Sequence, residues 1–287
     1  MGILTKLEDY QKNLLEQFNN KYPILDKKIL EIGSDLNCNT AMAMIEMGAA
    51  EVWAVNPLFD KDFVSPHPKI HVIKNFGEKI QLKSGQFDII FGIALLEHVI
   101  EPKALFNKCK RLLKKNGICY LQGWPTWLSP DGHHIWLNNI NGRNYHFNDE
   151  TNPFDDWEYL LLDKFKKFEI QMKNRGIPEE DILPIYNYVY KNQGENSRIP
   201  PTKIINIAKS IKQMDVVCVR LYTNIRQNDI FEQLKEVYSV EDLKTNGLEL
   251  YFKFKNKKSL FSIYDENHHK VVRFLGIKIK FRSKGKK

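Results

Sequence analysis

No apolar run in this sequence approaches the ~20 residues that a membrane-spanning helix requires, so no segment reads as a span. The opening residues, Met1–Tyr22, alternate charged and apolar side chains with helical spacing, which does not fit a secretory signal peptide. Cysteine is sparse. Cys38, Cys109, Cys119 and Cys218 have neither metal-type nor disulfide-framework spacing, so the expected compartment is a reducing cytoplasm. Most of the chain also lacks net charge. The formal charge is +8, but Lys270 to Lys287 alone carry eight Lys or Arg and no acid. The remainder is close to neutral, which argues against a nucleic-acid-coating surface.

What is present is an ordinary globular composition: 43% hydrophobic and 12% aromatic residues, enough for a packed core. A length of 287 residues allows one large domain or two small ones. The N-terminal residues Leu4–Asn20 read as an amphipathic helix, with Leu4, Leu7, Leu14, Leu15 and Phe18 near one face and Pro23 beyond its end. The most ordered pattern runs from Lys28 to Pro57. Ile29–Ile32 is an apolar run that breaks at Gly33; polar turn residues follow to Asn39; Ala41–Met47 is a run of helix formers closed by Gly48; Val52–Val55 is a second apolar run. This spacing predicts one strand–turn–helix–strand unit of a parallel sheet. Its first turn would set backbone N–H groups and a helix N-terminus beside a bound nucleotide. Ile70–Ile73 predicts a third strand and Phe87–Ile90 a fourth. Pro102 predicts a helix start, with Leu105, Cys109, Leu112 and Leu113 on one face, Asn116-Gly117 as its cap and Ile118–Leu121 as the next strand.

Two stretches carry a resemblance. Leu30-Glu31-Ile32-Gly33, and the segment Phe87–Pro125 with its FDII, LLEHV, RLLKKNG and apolar strand, resemble the class I S-adenosylmethionine (SAM) methyltransferases of the type 11-like group. Where that family has further glycines in the first turn, Asp35 and Asn37 stand here, residues that tolerate left-handed backbone. Where it ends the second strand on an acid, Asn56 stands, an uncharged acceptor for a ribose hydroxyl. The resemblance implies an α/β, Rossmann-like sheet, mostly parallel with an antiparallel last strand, helices on both faces and a helical insertion. It implies SAM as cofactor, S-adenosylhomocysteine as product, and no metal. The cofactor residues it implies are Glu31, Gly33, Ser34, Asp35, Asn37, Asn56, Pro57, Gly77, Glu78, Gly92, Ile93 and Ala94. The N-terminal helix, residues 1–27, would pack on the sheet or cover the cofactor.

The loop after the fifth strand, Gly123–Asn144, lies in such a sheet beyond the carboxyl ends of the strands. It carries Trp124, Trp127, Trp136, His133 and His134. His134 or His133 is the expected general base, and His98 of the LEHV segment is the rival. The histidine pair is open to two other roles, as metal ligands with Asp131 or His146, or as loop structure. Trp124, Trp127, His133 and Tyr186 are the expected acceptor contacts. Residues 126–205 read as an insertion, with 155–168 helical and Tyr186, Tyr188 and Tyr190 at period two. Asp215–Tyr222 and Leu248–Phe254 predict two closing strands, Ile230–Tyr238 a helix, and Ser239 with Asp242 a short capped helical turn ending at Asn246-Gly247. The domain is expected over 28–255.

Residues 256–287 form a basic amphipathic tail, with Val271, Val272, Phe274, Leu275, Ile277, Ile279 and Phe281 among the cations. Such a tail suits anionic lipid at the inner face of a membrane, or a solvated or partner-docking role. The Gly-His-His and the tail also resemble bacterial capsule and lipopolysaccharide methyltransferases. The expected acceptor is therefore a sugar or sugar-linked phosphate of a surface-polysaccharide precursor. Another acceptor such as RNA, or a SAM-binding module without catalysis, is the alternative.

Overall fold

The computed structural model describes residues 6–192, 197–222 and 228–255 with their side chains, and the backbone alone of 261–266, 269–274 and 277–282. The chain divides into two compact units, Met1–Lys253 and Phe254–Lys287.

In the first unit, helix α1 (Asp9–Lys21) buries Leu15 and Phe18. Leu4, the first residue of the expected helix, lies outside the described residues. Phe18 packs its ring 5.2 Å from Phe91 and 5.4 Å from Tyr120, so the helix is fastened to one face of the sheet. Burying one such ring contributes roughly 1.5–3 kcal/mol. Strand β1 (Lys28–Ile32), helix α2 (Asn39–Glu46) and strand β2 (Glu51–Val55) form the expected unit, and Gly48 takes the left-handed φ of +93° that ends α2. β3 (Ile70–Ile73), β4 (Phe87–Gly92), α3 (Pro102–Leu112) and β5 (Leu113–Gly123) follow. A hairpin of β6 (Trp136–Ile140) and β7 (Arg143–His146) leads to α4 (Phe165–Asn174), α5 (Glu179–Tyr190) and α6 (Pro201–Lys209). The unit closes with β8 (Met214–Tyr222), α7 (Asp229–Leu234), α8 (Val240–Lys244) and β9 (Thr245–Phe254).

The seven-stranded sheet has the order β3-β2-β1-β4-β5-β9-β8. Pairs β3–β2, β2–β1, β1–β4 and β4–β5 are parallel, and β5–β9 is antiparallel, with Tyr120 opposite Tyr251. This is the Rossmann-like architecture expected. Strand order reverses between β1 and β4, so a ligand is favoured at the carboxyl ends of these two strands.

Several boundaries differ from the sequence reading. The helix α3 stops at Leu112, and Asn116-Gly117 belongs to β5 instead of capping it. A side chain at Gly117 would come within 2.7 Å of the Asp88 carbonyl, so glycine is there for close strand approach at a register shift in the β4–β5 pair. Residues 155–168 are not one helix. Trp157 takes a left-handed φ of 61°, its indole N–H bonds the Leu128 carbonyl at 2.9 Å, and only a short 3₁₀ turn, Glu158–Leu161, precedes α4. The tyrosines of 186–190 lie on a helix, where the rings of Tyr186 and Tyr190, four apart, meet at a tilt with centroids 4.9 Å apart. Helix α7 ends at Leu234, and α8, capped by Ser239 through the Asp242 N–H, ends at Lys244, so Asn246-Gly247 lies within β9.

The inserted elements have a core of their own, which includes Ile135, Phe154, Tyr159, Phe168, Ile185 and Tyr186. The fully buried Asp181 of α5 accepts bonds from Asn141 (2.7 Å), Arg143 (2.5 Å) and Tyr145 (2.6 Å), tying the hairpin to that helix. The second unit holds a three-stranded antiparallel sheet, β10 (Phe261–Glu266), β11 (His269–Phe274) and β12 (Ile277–Arg282). Its side chains, on which the lipid reading of the tail depends, lie outside the described residues. Among the described residues no helix is long and apolar enough to cross a membrane.

Candidate active site

The turn after β1 is built by side chains where a glycine-rich loop would rely on bare backbone. Gly33, at φ +81°, and Ser34 both donate to the Val55 carbonyl, at 2.9 and 3.1 Å. One carboxylate oxygen of Asp35 accepts the N–H groups of Asn37 and Asn39, both at 3.0 Å, and the other accepts that of Thr40 at 3.0 Å. Two of these donors belong to the first turn of α2, so a negative charge and three acceptor bonds sit at the positive end of that helix. Cys38 supplies the left-handed residue, at φ +56°. Asn56 ties the end of β2 to the turn. Its amide nitrogen donates to the Ser34 carbonyl at 2.7 Å, and its oxygen accepts from Leu58 N at 2.8 Å.

Glu31 lies beneath this turn, nearly fully buried, with one oxygen unpaired. Burial pushes its carboxyl up to about 8, against the pull of the Ser34 hydroxyl and with a smaller push from Asp35. A raised carboxyl pKa favours the folded protein only while the group is protonated. Stability should therefore fall as pH rises from about 4.5 to about 8, by an amount on the order of a few kcal/mol from this group. Urea denaturation at pH 5.5 and pH 8 should show the loss, and Glu31→Gln should reduce it. An unchanged slope in the variant would mean that Glu31 is already ionised in the folded protein.

Gly77 and Gly92, expected at the cofactor, are sites of close packing. A side chain at Gly77 would come within 2.6 Å of Ile32 and 2.9 Å of Leu105; one at Gly92 would come within 2.7 Å of Leu95 and 2.9 Å of the Ile32 carbonyl. Glu78 is the middle residue of a single 3₁₀ turn, Gly77–Lys79. Ala94, with φ +46°, and Leu95 are held by Gln122 of β5, whose side chain accepts the Ala94 N–H at 2.8 Å and whose carbonyl accepts that of Leu95 at 3.0 Å. Ile93, just before them, is buried. Gln122 was not legible as a site residue, because its role depends on strand pairing. Leu58 and Phe76, at the carboxyl ends of β2 and β3, are 70% and 48% exposed. Large apolar side chains left open beside a strand-end crevice suit a purine face, and with the bare left-handed Gly33 they make the donor side fit an adenosyl group.

On the acceptor side, the 3₁₀ turn Leu96–His98 after β4 meets the loop after β5. The ligating atoms of Glu97, His98 and His134 all lie within 4.8 Å of one another. Glu97 is buried, and its carboxyl is pushed up to about 8 by burial, against the pull of its own N–H and that of Trp124. Neither N–H reaches a carboxylate oxygen with ordinary hydrogen-bond geometry. His134, at a left-handed φ of 49°, has its ring 5.2 Å from His98 and 4.8 Å from Phe147. Burial, and then His98, push its pKa down to about 3, so the ring is neutral at physiological pH. Gly123 is required here: a side chain would lie 2.7 Å from a Glu97 carboxylate oxygen and 2.6 Å from the Leu96 side chain.

The structure separates the two loop histidines. His133 is 1% exposed inside the insertion core, its ring 4.6 Å from Phe154 and 5.2 Å from Tyr159, and its Nδ1 accepts the Ile135 N–H at 3.3 Å. Tyr186 is also core, with its hydroxyl on the Asp163 carbonyl at 2.7 Å. Neither His146 nor Asp131 joins the histidine pair. His146 engages Asp149 at 2.9 Å and Asn138 at 2.8 Å, and Asp131 makes a long 3.5 Å contact with Asn152. Trp124 remains 38% exposed where β5 ends. Trp127 packs edge-on to Tyr159 at 5.0 Å, with the Arg198 guanidinium 5.7 Å from its ring. Tyr10 of α1 is a residue that sequence reasoning passed over. It is half-exposed, and its hydroxyl pKa is raised by desolvation and then by Glu97.

Residues 6–170 match the family model described as a methyltransferase domain. No curated protein matches the chain. Among solved structures, a proposed SAM-dependent methyltransferase from Listeria monocytogenes aligns with a TM-score of 0.50 at 11% identity, covering 86% of this chain and 99% of that one. A SAM-dependent methyltransferase from Mesorhizobium loti aligns at 0.49 and 15% identity, covering 84% and 96%. Likeness at this identity bears on the fold alone.

Proposed function

Because this chain belongs to the methyltransferase-domain family and is a SAM-dependent methyltransferase, we propose that its acceptor is an oxygen of a sugar, or of a sugar-linked phosphate, in a bacterial surface-polysaccharide precursor. The observation that carries this reading is the pairing of an exposed indole, Trp124, with the buried Glu97 and the half-buried His98 and His134 beside its backbone. An aromatic face suits the apolar face of a sugar ring, and a water-poor polar cluster suits activation of a hydroxyl, which is a poor nucleophile at neutral pH.

When bound, SAM supplies an electrophilic methyl group on a sulfonium that is already a good leaving group. The turn Gly33–Asn39, with Glu31 beneath it, Asn56 and Pro57 beyond β2 and the exposed Leu58 and Phe76, would hold it. The 93–95 loop, fixed by Gln122, forms the wall between donor and acceptor. Glu97, His98 and His134 form the polar surface against which the acceptor oxygen is made nucleophilic. The chain's contribution is thus position, exclusion of water and handling of one proton.

The test is transfer of label from methyl-tritiated SAM to a panel of nucleotide-linked sugars and sugar phosphates, with ethanolamine-type amines and RNA in parallel. Label should appear on a sugar or sugar phosphate as a base-stable ether or as a phosphate ester. Transfer to amine or RNA alone would overturn the acceptor class.

A further inference from the structure

We propose that Glu97, His98 and His134 bind a first-row divalent transition-metal ion at the acceptor side of the site. The proposal rests on the reading of this cluster as the place where an acceptor oxygen is activated, and it names what does so, against the expectation of metal-free transfer.

Three observations carry it. First, the three ligating atoms already converge within 4.8 Å. Metal–nitrogen and metal–oxygen bonds of about 2.0–2.2 Å would draw such atoms to roughly 3–3.5 Å apart, a closure within reach of side-chain rotation. Second, the group is poorly satisfied as it stands. Glu97 is 4% exposed and neither oxygen makes a hydrogen bond of ordinary geometry, while Nδ1 of His134 is buried without a partner. Leaving such groups unpaired is costly, and among the described residues no Lys or Arg pairs with Glu97. Third, the backbone holds the ligands in place. Ser197 donates to the Glu97 carbonyl at 2.7 Å, the Tyr188 hydroxyl to the His134 carbonyl at 3.3 Å, and Gly123 leaves the space that the Glu97 carboxylate occupies. His134 itself takes a left-handed backbone, a costly conformation kept where the surroundings fix it.

The donor set selects the ion. Two imidazoles and one carboxylate favour zinc, cobalt, iron or manganese over magnesium or calcium, and three protein ligands leave open positions. An ion there would take the acceptor oxygen into an open position and lower the pKa of its hydroxyl, the proton passing to solvent. Phe147, against His134, keeps one side of the cluster apolar.

The experiment is a titration of the full chain, stripped with a chelator, with cobalt(II) alone, in the absence of SAM and acceptor. One equivalent should bind saturably with the ligand-field absorption of a nitrogen-containing site. Glu97→Gln, His98→Asn and His134→Ala, checked for folding by circular dichroism, should each weaken binding at least about tenfold. Should a variant fail to fold, the wild type decides: zinc(II) should shift the imidazole resonances of His98 and His134 and leave those of His146 unmoved. Absence of saturable binding up to millimolar cobalt, binding that the folded variants leave intact, or zinc shifts confined to His146 would each overturn the proposal. Sugar methylation by a protein that binds no metal would sink this inference alone. Cobalt binding by a protein that methylates no sugar would sink the acceptor assignment alone.

Discussion

His134→Ala should lower turnover by about 10²–10⁴-fold, the range for loss of a group that helps activate the acceptor hydroxyl, while affinity for S-adenosylhomocysteine stays within a few-fold. The donor residues and the acceptor cluster occupy different strand ends, so one can fail without the other. His133→Ala, one residue away, should behave differently. Its ring is packed between Phe154 and Tyr159, so its removal opens a cavity in the insertion core and should cost about 2–4 kcal/mol of stability. Turnover per folded molecule should change far less than in His134→Ala. Single-turnover rates and urea midpoints for the two variants check this. Equal kinetic losses at both positions would show that the loop acts as one body and that His134 has no separate role.

Asp35→Ala should weaken S-adenosylhomocysteine binding at least tenfold and destabilise the fold by about 0.5–2 kcal/mol, the cost of losing a helix-capping side chain. Three N–H groups, those of Asn37, Asn39 and Thr40, would lose their acceptor together. Asp35→Asn keeps one acceptor oxygen and should lie between. Asn56→Asp should also weaken the donor site, even though a carboxylate is the better ribose acceptor. The Asn56 amide nitrogen is the donor to the Ser34 carbonyl, and a carboxylate there would face that carbonyl with no proton between them. Calorimetry of the three variants orders these effects. Unaltered affinity in Asp35→Ala would mean that the turn holds its shape without the carboxylate.

The sheet was legible because its parallel strands are buried and nearly continuous in apolar residues, and because Gly48 and Pro102 mark helix boundaries where backbone chemistry requires them. Asn116-Gly117 misled, since a glycine that ends a helix and one that admits a neighbouring strand look alike in sequence; only the closeness of the Asp88 carbonyl separates them. The 155–168 segment misled because helical periodicity does not report that Trp157 turns left-handed to bury its indole under the Leu128 carbonyl. Within the site, His98 and His134 were legible as candidates. The contributions of Glu97 and Gln122 were not, because each depends on residues brought together across the sheet. The Asp35 carboxylate replaces glycine by caging the turn in hydrogen bonds, which backbone propensity alone does not reveal.

The account stands most directly on calorimetric titration of the wild-type full chain with S-adenosylhomocysteine. Saturable binding of one equivalent at micromolar ligand, lost or much weakened in Asp35→Ala and kept in His134→Ala, is the expected result. Absence of wild-type binding up to millimolar ligand, or binding that Asp35→Ala leaves untouched while His134→Ala abolishes it, would contradict it.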